Sequence, residues 1–394
     1  MTGIARGLAP QFDAPDTQLG ELLEACVRES LSNMLEGLEL GLPMGEASAP
    51  LLLIEYGRRL GQRYTEHPLI VMLFAKMHRR LISHAWETLD SLPISKETLV
   101  AAGSIILEET WAYVERTSLQ ARNAYLAARD EVARDRANIV TRAVTALIDD
   151  NPAVSPDLSA LSGYDLRDQH LALVLWADDM PASIETMTRL RDASRELATA
   201  AGCTSAPLFI ARDAANAWVW LATGNGDVPW RDLARALSES RHGIWAAAGL
   251  PERGIDGFRR SHRQAYAART VALAPGTPVA RVTLFRDVAV IAPMCDDLDS
   301  ARSWLHSVLG DLSANDERSA ELRETARTFL ANGGSYIVTA AEMHVHRNTA
   351  QYRIAKAEEM LGHPLREARL DVEMALAACY WLGSAILAAP DRGS

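Results

Sequence analysis

Between Val345 and Gly362 the chain reads VHRNTAQYRIAKAEEMLG, and no Asp or Glu occurs between Glu342 and Glu358. This gap stands out in a protein with a formal net charge of -11. Arg347, Arg353 and Lys356 are cations, and Asn348, Thr349, Gln351 and Tyr352 are neutral hydrogen-bonding groups. Asn and Gln can pair with adenine edges, Arg with guanine, and each cation can neutralise a phosphate. A carboxylate facing a row of phosphates would add repulsion, so a DNA-facing helix is expected to be free of acids.

On a helix starting near Arg347, Ala350, Ile354, Ala357 and Leu361 recur three or four residues apart and form one apolar face. Asn348, Tyr352 and Lys356 then point the opposite way, with Arg347, Gln351 and Arg353 on the flanks. Upstream, SYIVTAAEMH reads as a short helix, with small Ala340 and Ala341 where two helices cross closely. HVH leaves room only for a tight turn, with Val345 plugging the core. Helix, tight turn and longer polar-faced helix make a helix-turn-helix. The plainer reading is a solvated helix in an all-α bundle.

Other residues offer weaker chemistry. Asp178 and Asp179 follow the apolar run HLALVLWA, and Asp213 sits in the turn ARDAANA. Carboxylates at a strand end and a hairpin could hold divalent metals against a triphosphate, as a nucleotidyl cyclase requires. The hairpin lacks a Gly-Gly-acid run, so solvated loop acids are the better reading and no catalytic residue is assigned. TGNGD (223–227) is a turn before it is a phosphate loop. His67, His78 and His84 are read as surface or satisfied core histidines, since the six-residue step from His78 to His84 does not place two ligands on one helical turn. The spaced cysteines Cys26, Cys203, Cys295 and Cys379 are read as reduced thiols. No metal and no cofactor is expected.

These residues need elements to hold them. The chain has 394 residues, 48% of them hydrophobic, enough for two or three domains. Residues 1–150 read as an all-helical domain, with Pro43, Pro50, Pro68 and Pro93 at loop sites and Ser95 at a helix start. Its tail reads as a long exposed helix. DDNPAVSPDLSALSGYD is a linker. Residues 165–293 read as strand, helix, hairpin, helix, strand, helix, strand, a ferredoxin-like α/β fold. HLALVLWA is the first strand, Ile184, Met187, Leu190 and Leu197 share a helix face, and VTLF and VAVIAPM close the set. Residues 296–390 read as helical. The fold class is therefore multidomain, α plus α/β. There is no apolar leader, and the apolar run near the C-terminus is too short to span a membrane. A cytoplasmic protein with no membrane partner is expected.

TAAEMHVHRNTAQYRIAKAEEMLGHPL resembles the C-terminal helix-turn-helix of PucR/CdaR-type bacterial transcription regulators. The resemblance is carried by Thr339, Ala340, Met343, Val345, His346, Arg347, Asn348, Thr349, Tyr352, Arg353, Ile354, Leu361 and Gly362. RLDVEMAL (369–376) matches the family's following helix, with Val372 in place of Leu. GFRRSHRQAYAA resembles the S..QA helix of that family's degenerate GGDEF-like domain, and the N-terminal region resembles the helical domain of RsbR-type co-antagonists. The resemblance implies a regulator that binds double-stranded DNA as a homodimer or higher homo-oligomer and answers an unidentified small-molecule effector. Two other readings stay open at this point: a GGDEF-derived nucleotide sensor or enzyme, and a partner-switching signalling protein.

Overall fold

The computed structural model describes residues 17–63, 69–149, 158–177, 183–224, 226–239, 243–275 and 281–387. The chain divides into two compact units, Met1–Ile139 and Val140–Ser394. Among the described residues, no helix is long and apolar enough to cross a membrane.

The first unit is helical: α1 (Thr17–Glu39), α2 (Leu51–Arg63), α3 (Leu69–Asp90) and α4, a 53-residue helix over Lys96–Ile148. Leu19, Leu23, Val27, Leu31 and Met34 give α1 a stripe at helical spacing that is buried against Leu53, Phe74, Met77, Tyr113 and Tyr125. The start of α4 is capped by Ser95, whose hydroxyl accepts from the Thr98 N–H at 3.1 Å. Glu109 and Gln120 of α4 reach out to accept the backbone N–H groups of Met44 and Ala49, at 3.0 and 2.7 Å, and so fix the loop ahead of α2.

Gly57 and Gly61, one turn apart on α2, lie directly on the α4 backbone. A Cβ at Gly57 would stand 2.5 Å from the Ala121 carbonyl oxygen, and one at Gly61 would stand 2.2 Å from that of Tyr125. Only glycine allows this approach, because the wall is backbone and cannot rotate away.

The second unit is built on a sheet of order β2-β3-β1-β4-β6, with β1 (Gln169–Ala177), β2 (Leu208–Ala211), β3 (Asn216–Ala222), β4 (Ile244–Ala248) and β6 (Val282–Leu284). A two-residue β5 (Glu252–Arg253) also pairs with β1. The neighbours of β1 run antiparallel to it, whereas β4 and β6 are parallel. The helices are α5 (Leu158–Ser162), α6 (Ile184–Ala200), α7 (Trp230–Glu239) and α8 (Gly254–Ala272). The element order expected of a ferredoxin-like layer is present.

β1 is apolar at nearly every position because both its faces are covered. Leu171, Leu173 and Leu175 pack with Leu190, Leu197, Leu233 and Leu237 of α6 and α7. Ala172 and Val174 pack with Phe258 and Ala265 of α8 and with Val144 and Leu147 at the end of α4. The last turns of α4 are thus buried, whereas the sequence suggested an exposed tail throughout. Ile184 also departs from expectation: it is exposed at the start of α6, and Ala193 and Ala198 complete that helix's buried face.

The register slips by one between Leu173↔Ala248 and His170↔Glu252, so β4 and β5 form one strand interrupted by a bulge just after Gly249. Two side chains of α8 hold this bulge. Ser261 Oγ accepts from the Ala172 N–H at 2.8 Å, and Gln264 Oε1 accepts from the Leu250 N–H at 2.8 Å. Gly249 permits the close approach, since a Cβ there would lie 2.1 Å from the Ser261 carbonyl oxygen. These contacts give the serine and glutamine of SHRQA a structural purpose.

VAVIAPM is not a strand. Phe285–Val288 is a helical turn, α9, and a 3-10 turn follows over Ala292–Asp296. Val288, Ile291 and Ala292 are buried at helical spacing, in the same core as the C-terminal helices. Those are α10 (Leu298–Leu309), α11 (Glu317–Ala331), α12 (Tyr336–Glu342), α13 (Arg347–Leu361) and α14 (Arg369–Leu382). A single cluster runs from Ala268 and Val271 of α8 through Ile291 to Leu305, Phe329, Ile354 and Leu376.

Under the sheet, His262 is 4% exposed, and neither ring nitrogen has a hydrogen-bond partner. It stacks on Trp220 at 5.2 Å and meets the edge of Trp218 at 4.5 Å. Burial, helped by the Arg212 charge, pushes its imidazole down to about 4.

Two outcomes follow from this packing. Gly61→Ala gains about 1 kcal/mol of helix propensity but overpacks a backbone wall at a cost of about 1–3 kcal/mol or more. The thermal midpoint of the N-terminal unit should therefore fall, and a rise would contradict the close approach. His262 stays neutral when folded while the unfolded chain takes up a proton near pH 6.5, so stability is lost as pH falls from 6.5 towards 4. The ceiling is about 3 kcal/mol. His262→Phe should flatten that stretch of the stability-versus-pH curve, which urea unfolding across the range would show.

Candidate nucleic-acid interface

The helix α13 is anchored by Ala350, Ile354, Ala357 and Leu361, the four residues that the spacing placed on one face, and all four are buried. Its outward side is therefore set by the core. Arg347, Asn348 and Tyr352 are exposed, Tyr352 at 63%, while Thr349, Gln351, Arg353 and Lys356 are half-buried.

The two ends are held differently. At the start, His346 Nδ1 accepts from the Asn348 N–H at 3.2 Å. At the end, Gly362 adopts φ 82 and its N–H bonds to the Glu358 carbonyl at 2.9 Å, a left-handed glycine cap.

The turn between α12 and α13 is compact. Backbone N–H groups of Met343, His344 and Val345 return to the carbonyls of Thr339, Ala341 and Ala340. His344 has φ 53, the left-handed region, with no glycine to relieve it. Ala340 is buried as a close helix crossing requires, but Ala341 is exposed, and Val345 is only half-buried rather than plugging the core. Ser335 caps α12, and Thr339 donates to the Ser335 carbonyl at 2.8 Å.

The cations have distinct surroundings. Arg353 pairs with Glu321 of α11 at 2.9 Å, which ties α13 to the helix beneath it. Lys356 pairs with Glu359 at 2.7 Å. Glu358 accepts the Leu365 N–H at 3.0 Å, so that carboxylate fastens the following loop. The first acids after the gap are thus both engaged, one with Lys356 and one with backbone. The buried Arg323 donates to the Leu312 and Ala314 carbonyls at 2.8 and 2.6 Å, a structural tie.

Two features escaped the sequence reading. The Arg353–Glu321 pair joins residues far apart in the chain, and no local pattern signals it. The strained His344 carries no glycine or asparagine to mark a positive φ.

The weaker candidates resolve more simply. Asp213 Oδ1 accepts from the Ala215 N–H at 2.8 Å and from Asn216 Nδ2 at 2.9 Å, so this carboxylate shapes the β2–β3 turn. Asp178, Asp179 and His67 lie outside the described residues, as does Asn225 of TGNGD. His78 is buried and bonds Thr110 Oγ1 at 2.9 Å, while His84 is exposed beside Glu87. Among the described residues no cluster of His, Cys, Asp or Glu is arranged to hold a metal. Cys26 and Cys379 are buried, and Cys203 and Cys295 are partly so.

Comparison with family models matches residues 322–378 to the PucR C-terminal helix-turn-helix domain. Residues 155–271 match a GGDEF-like domain, and residues 1–140 match the N-terminal domain of the RsbT co-antagonist protein rsbRD. Among curated relatives, an uncharacterised Thermomonospora curvata protein is 42% identical over 71 residues, 18% of this chain and 39% of that one. The transcriptional activator PmfR of Paenarthrobacter nicotinovorans is 37% identical over 65 residues, 16% of this chain and 14% of that one. The purine catabolism regulatory protein of Bacillus subtilis is 29% identical over 80 residues, 20% of this chain and 15% of that one. The chain therefore spans well under half of each of these relatives. A crystal structure of a regulator of polyketide synthase expression from Bifidobacterium adolescentis matches 61% of this chain and 97% of that one, at 20% identity and a TM-score of 0.30.

The turn geometry makes a stability prediction. His344→Gly should raise the unfolding midpoint, removing a left-handed penalty of about 1–2 kcal/mol less the entropic cost of glycine. His344→Val should lower it, because a β-branched residue tolerates that region worst. Equal midpoints for all three chains would contradict the strained turn.

Proposed function

We propose that this chain, a member of the PucR/CdaR-type regulators by its C-terminal helix-turn-helix, its GGDEF-like domain and its RsbRD-type N-terminal domain, is a sequence-specific DNA-binding transcriptional regulator. The observation that carries the reading is the outward face of α13. It presents Arg347, Asn348 and Tyr352, and has no carboxylate before Glu358. In this reading residues 296–390 bind DNA, while residues 1–150 and 165–293 sense a signal and mediate assembly.

The contacts divide by position along the helix. Asn348 lies in the first turn of α13, the part of a recognition helix that usually reaches base edges. Arg347, Thr349, Gln351 and Tyr352 flank it. Arg353 and Lys356 lie further along, where the helix leaves the groove. Their pairing with Glu321 and Glu359 holds both side chains in place, and Lys356 serves as a backbone contact.

One recognition helix makes few phosphate contacts, and an acidic chain repels DNA elsewhere. The reading therefore calls for at least a dimer on DNA, with half-sites about 10 bp apart or a multiple of that. The middle domain is read as non-catalytic. Asp213, the one acid of its hairpin turn, is committed to that turn, which supports a sensing or scaffolding role over nucleotide turnover. The protein is read as acting in the cytoplasm.

Affinity for operator and random DNA across a salt series tests the assignment. Asn348→Ala should cost about 1–3 kcal/mol on the operator, relax preference at one base position and leave random DNA nearly unchanged. Lys356→Ala should weaken both DNAs alike and lower the salt slope by roughly one unit per site. If Asn348→Ala weakens both DNAs equally while Lys356→Ala changes base preference, the helix sits differently in the groove. If neither variant matters, recognition lies elsewhere in the chain.

A further inference from the structure

The helix α8 turns one side to the sheet and the other to a cleft. Phe258, Ser261, His262, Ala265, Ala268 and Val271 are its buried side. On the other side Arg260, Arg263, Gln264, Ala267 and Thr270, at steps of three and four, line a cavity of about 500 Å³. The facing wall is the connection to the C-terminal helices. It contributes Phe285 of α9, then Ala289, Ala292 and Pro293, and finally Asp296 at the end of the 3-10 turn. The volume is within the range of small-molecule sites.

The charges around this cavity sort into engaged and unengaged. Along α8, Arg259 pairs with Asp256, Arg260 pairs with Glu252, and Arg269 donates to Asn216. Arg263 makes no ion pair or hydrogen bond among the described residues. On the facing wall, Asp297 caps α10 through the Ser300 N–H, and Asp299 pairs with Arg302. Asp296 likewise has no ion pair or hydrogen bond among the described residues. Gln264 and Thr270 are already committed, to the Leu250 N–H and the Tyr266 carbonyl. The cavity therefore offers one free guanidinium and one free carboxylate that do not pair with each other, over walls of alanine, phenylalanine and proline.

We propose that this cavity binds a zwitterionic amino acid with an apolar side chain. Its carboxylate meets Arg263, whose planar fork suits a carboxylate. Its ammonium meets Asp296, and its side chain leaves water against Ala267, Phe285 and Pro293. A zwitterion satisfies both free charges, whereas a simple anion would face Asp296 and a simple cation would face Arg263. A nucleotide fits worse, because its phosphates would set several negative charges against a single uncompensated guanidinium. The bound molecule would bridge α8 and the connecting turn, whose buried residues share a core cluster with α13. That occupancy thereby alters operator binding rests on the reading above. Binding itself is measured without DNA, so the two can fail separately.

Isothermal titration calorimetry of the full chain with L-phenylalanine should show saturable binding. Phenylpropionate, which lacks the ammonium, and phenethylamine, which lacks the carboxylate, should each bind about tenfold more weakly or worse. Arg263→Gln and Asp296→Asn should each weaken phenylalanine about tenfold or more. The thermal midpoint of the free chain should not move in either variant, since both side chains are exposed. The variants should also differ in what they cease to distinguish. Arg263→Gln should bind phenylalanine and phenethylamine alike, and Asp296→Asn should bind phenylalanine and phenylpropionate alike, a pattern that a merely structural role would not produce. No binding of phenylalanine, a parent chain that binds either truncated analogue as tightly, or affinity indifferent to both substitutions would each overturn the proposal.

Discussion

The proposed meeting of α13 with a polyanion requires that surface to turn its own carboxylates away, and this constraint is severe in a chain of net charge -11. It is met by giving each nearby acid another task. Glu321 holds Arg353, Glu358 holds a backbone N–H, and Glu359 holds Lys356. The Arg353–Glu321 pair also ties α13 to the helix beneath it, whereas Lys356–Glu359 lies within α13. In that one pair electrostatic clearance and mechanical anchoring coincide, and the buried row Ala350, Ile354, Ala357 and Leu361 supplies the rest of the anchoring.

Much of this was legible in the sequence because it is local and periodic. The apolar row of α13 follows from steps of three and four. The run HLALVLWA reads as a strand because both its faces are covered, and the S..QA helix falls where GFRRSHRQAYAA stands. What remained illegible depends on distant partners. VAVIAPM has strand-like composition, yet Val288, Ile291 and Ala292 sit at helical spacing against the C-terminal core, and that core decided. Ile184 looked like a face residue because Leu190 and Leu197 follow it in phase, but α6 starts beyond the edge of its packing surface. The left-handed His344 and the half-buried Val345 reflect how tightly the turn closes, which residue types alone do not report.

In the middle domain the hairpin acid and two polar side chains of α8 take structural tasks. Asp213 shapes its turn, and Ser261 and Gln264 are spent on a strand bulge. His262 is enclosed by indole rings with no partner for either nitrogen, a cost tolerated in return for dense aromatic packing.

The continuity of the core in the second unit has a mechanical consequence. Ala268 and Val271 of α8, Ile291 of the connecting turn and Ile354 of α13 belong to one packed cluster. Close-packed interiors are nearly incompressible and do not deform smoothly. A displacement imposed at the sheet thus has no compliant joint in which to dissipate before it reaches α13. The sheet and that helix behave as the two arms of a stiff lever: the helix moves when the sheet moves, or the cluster breaks and repacks in a single step.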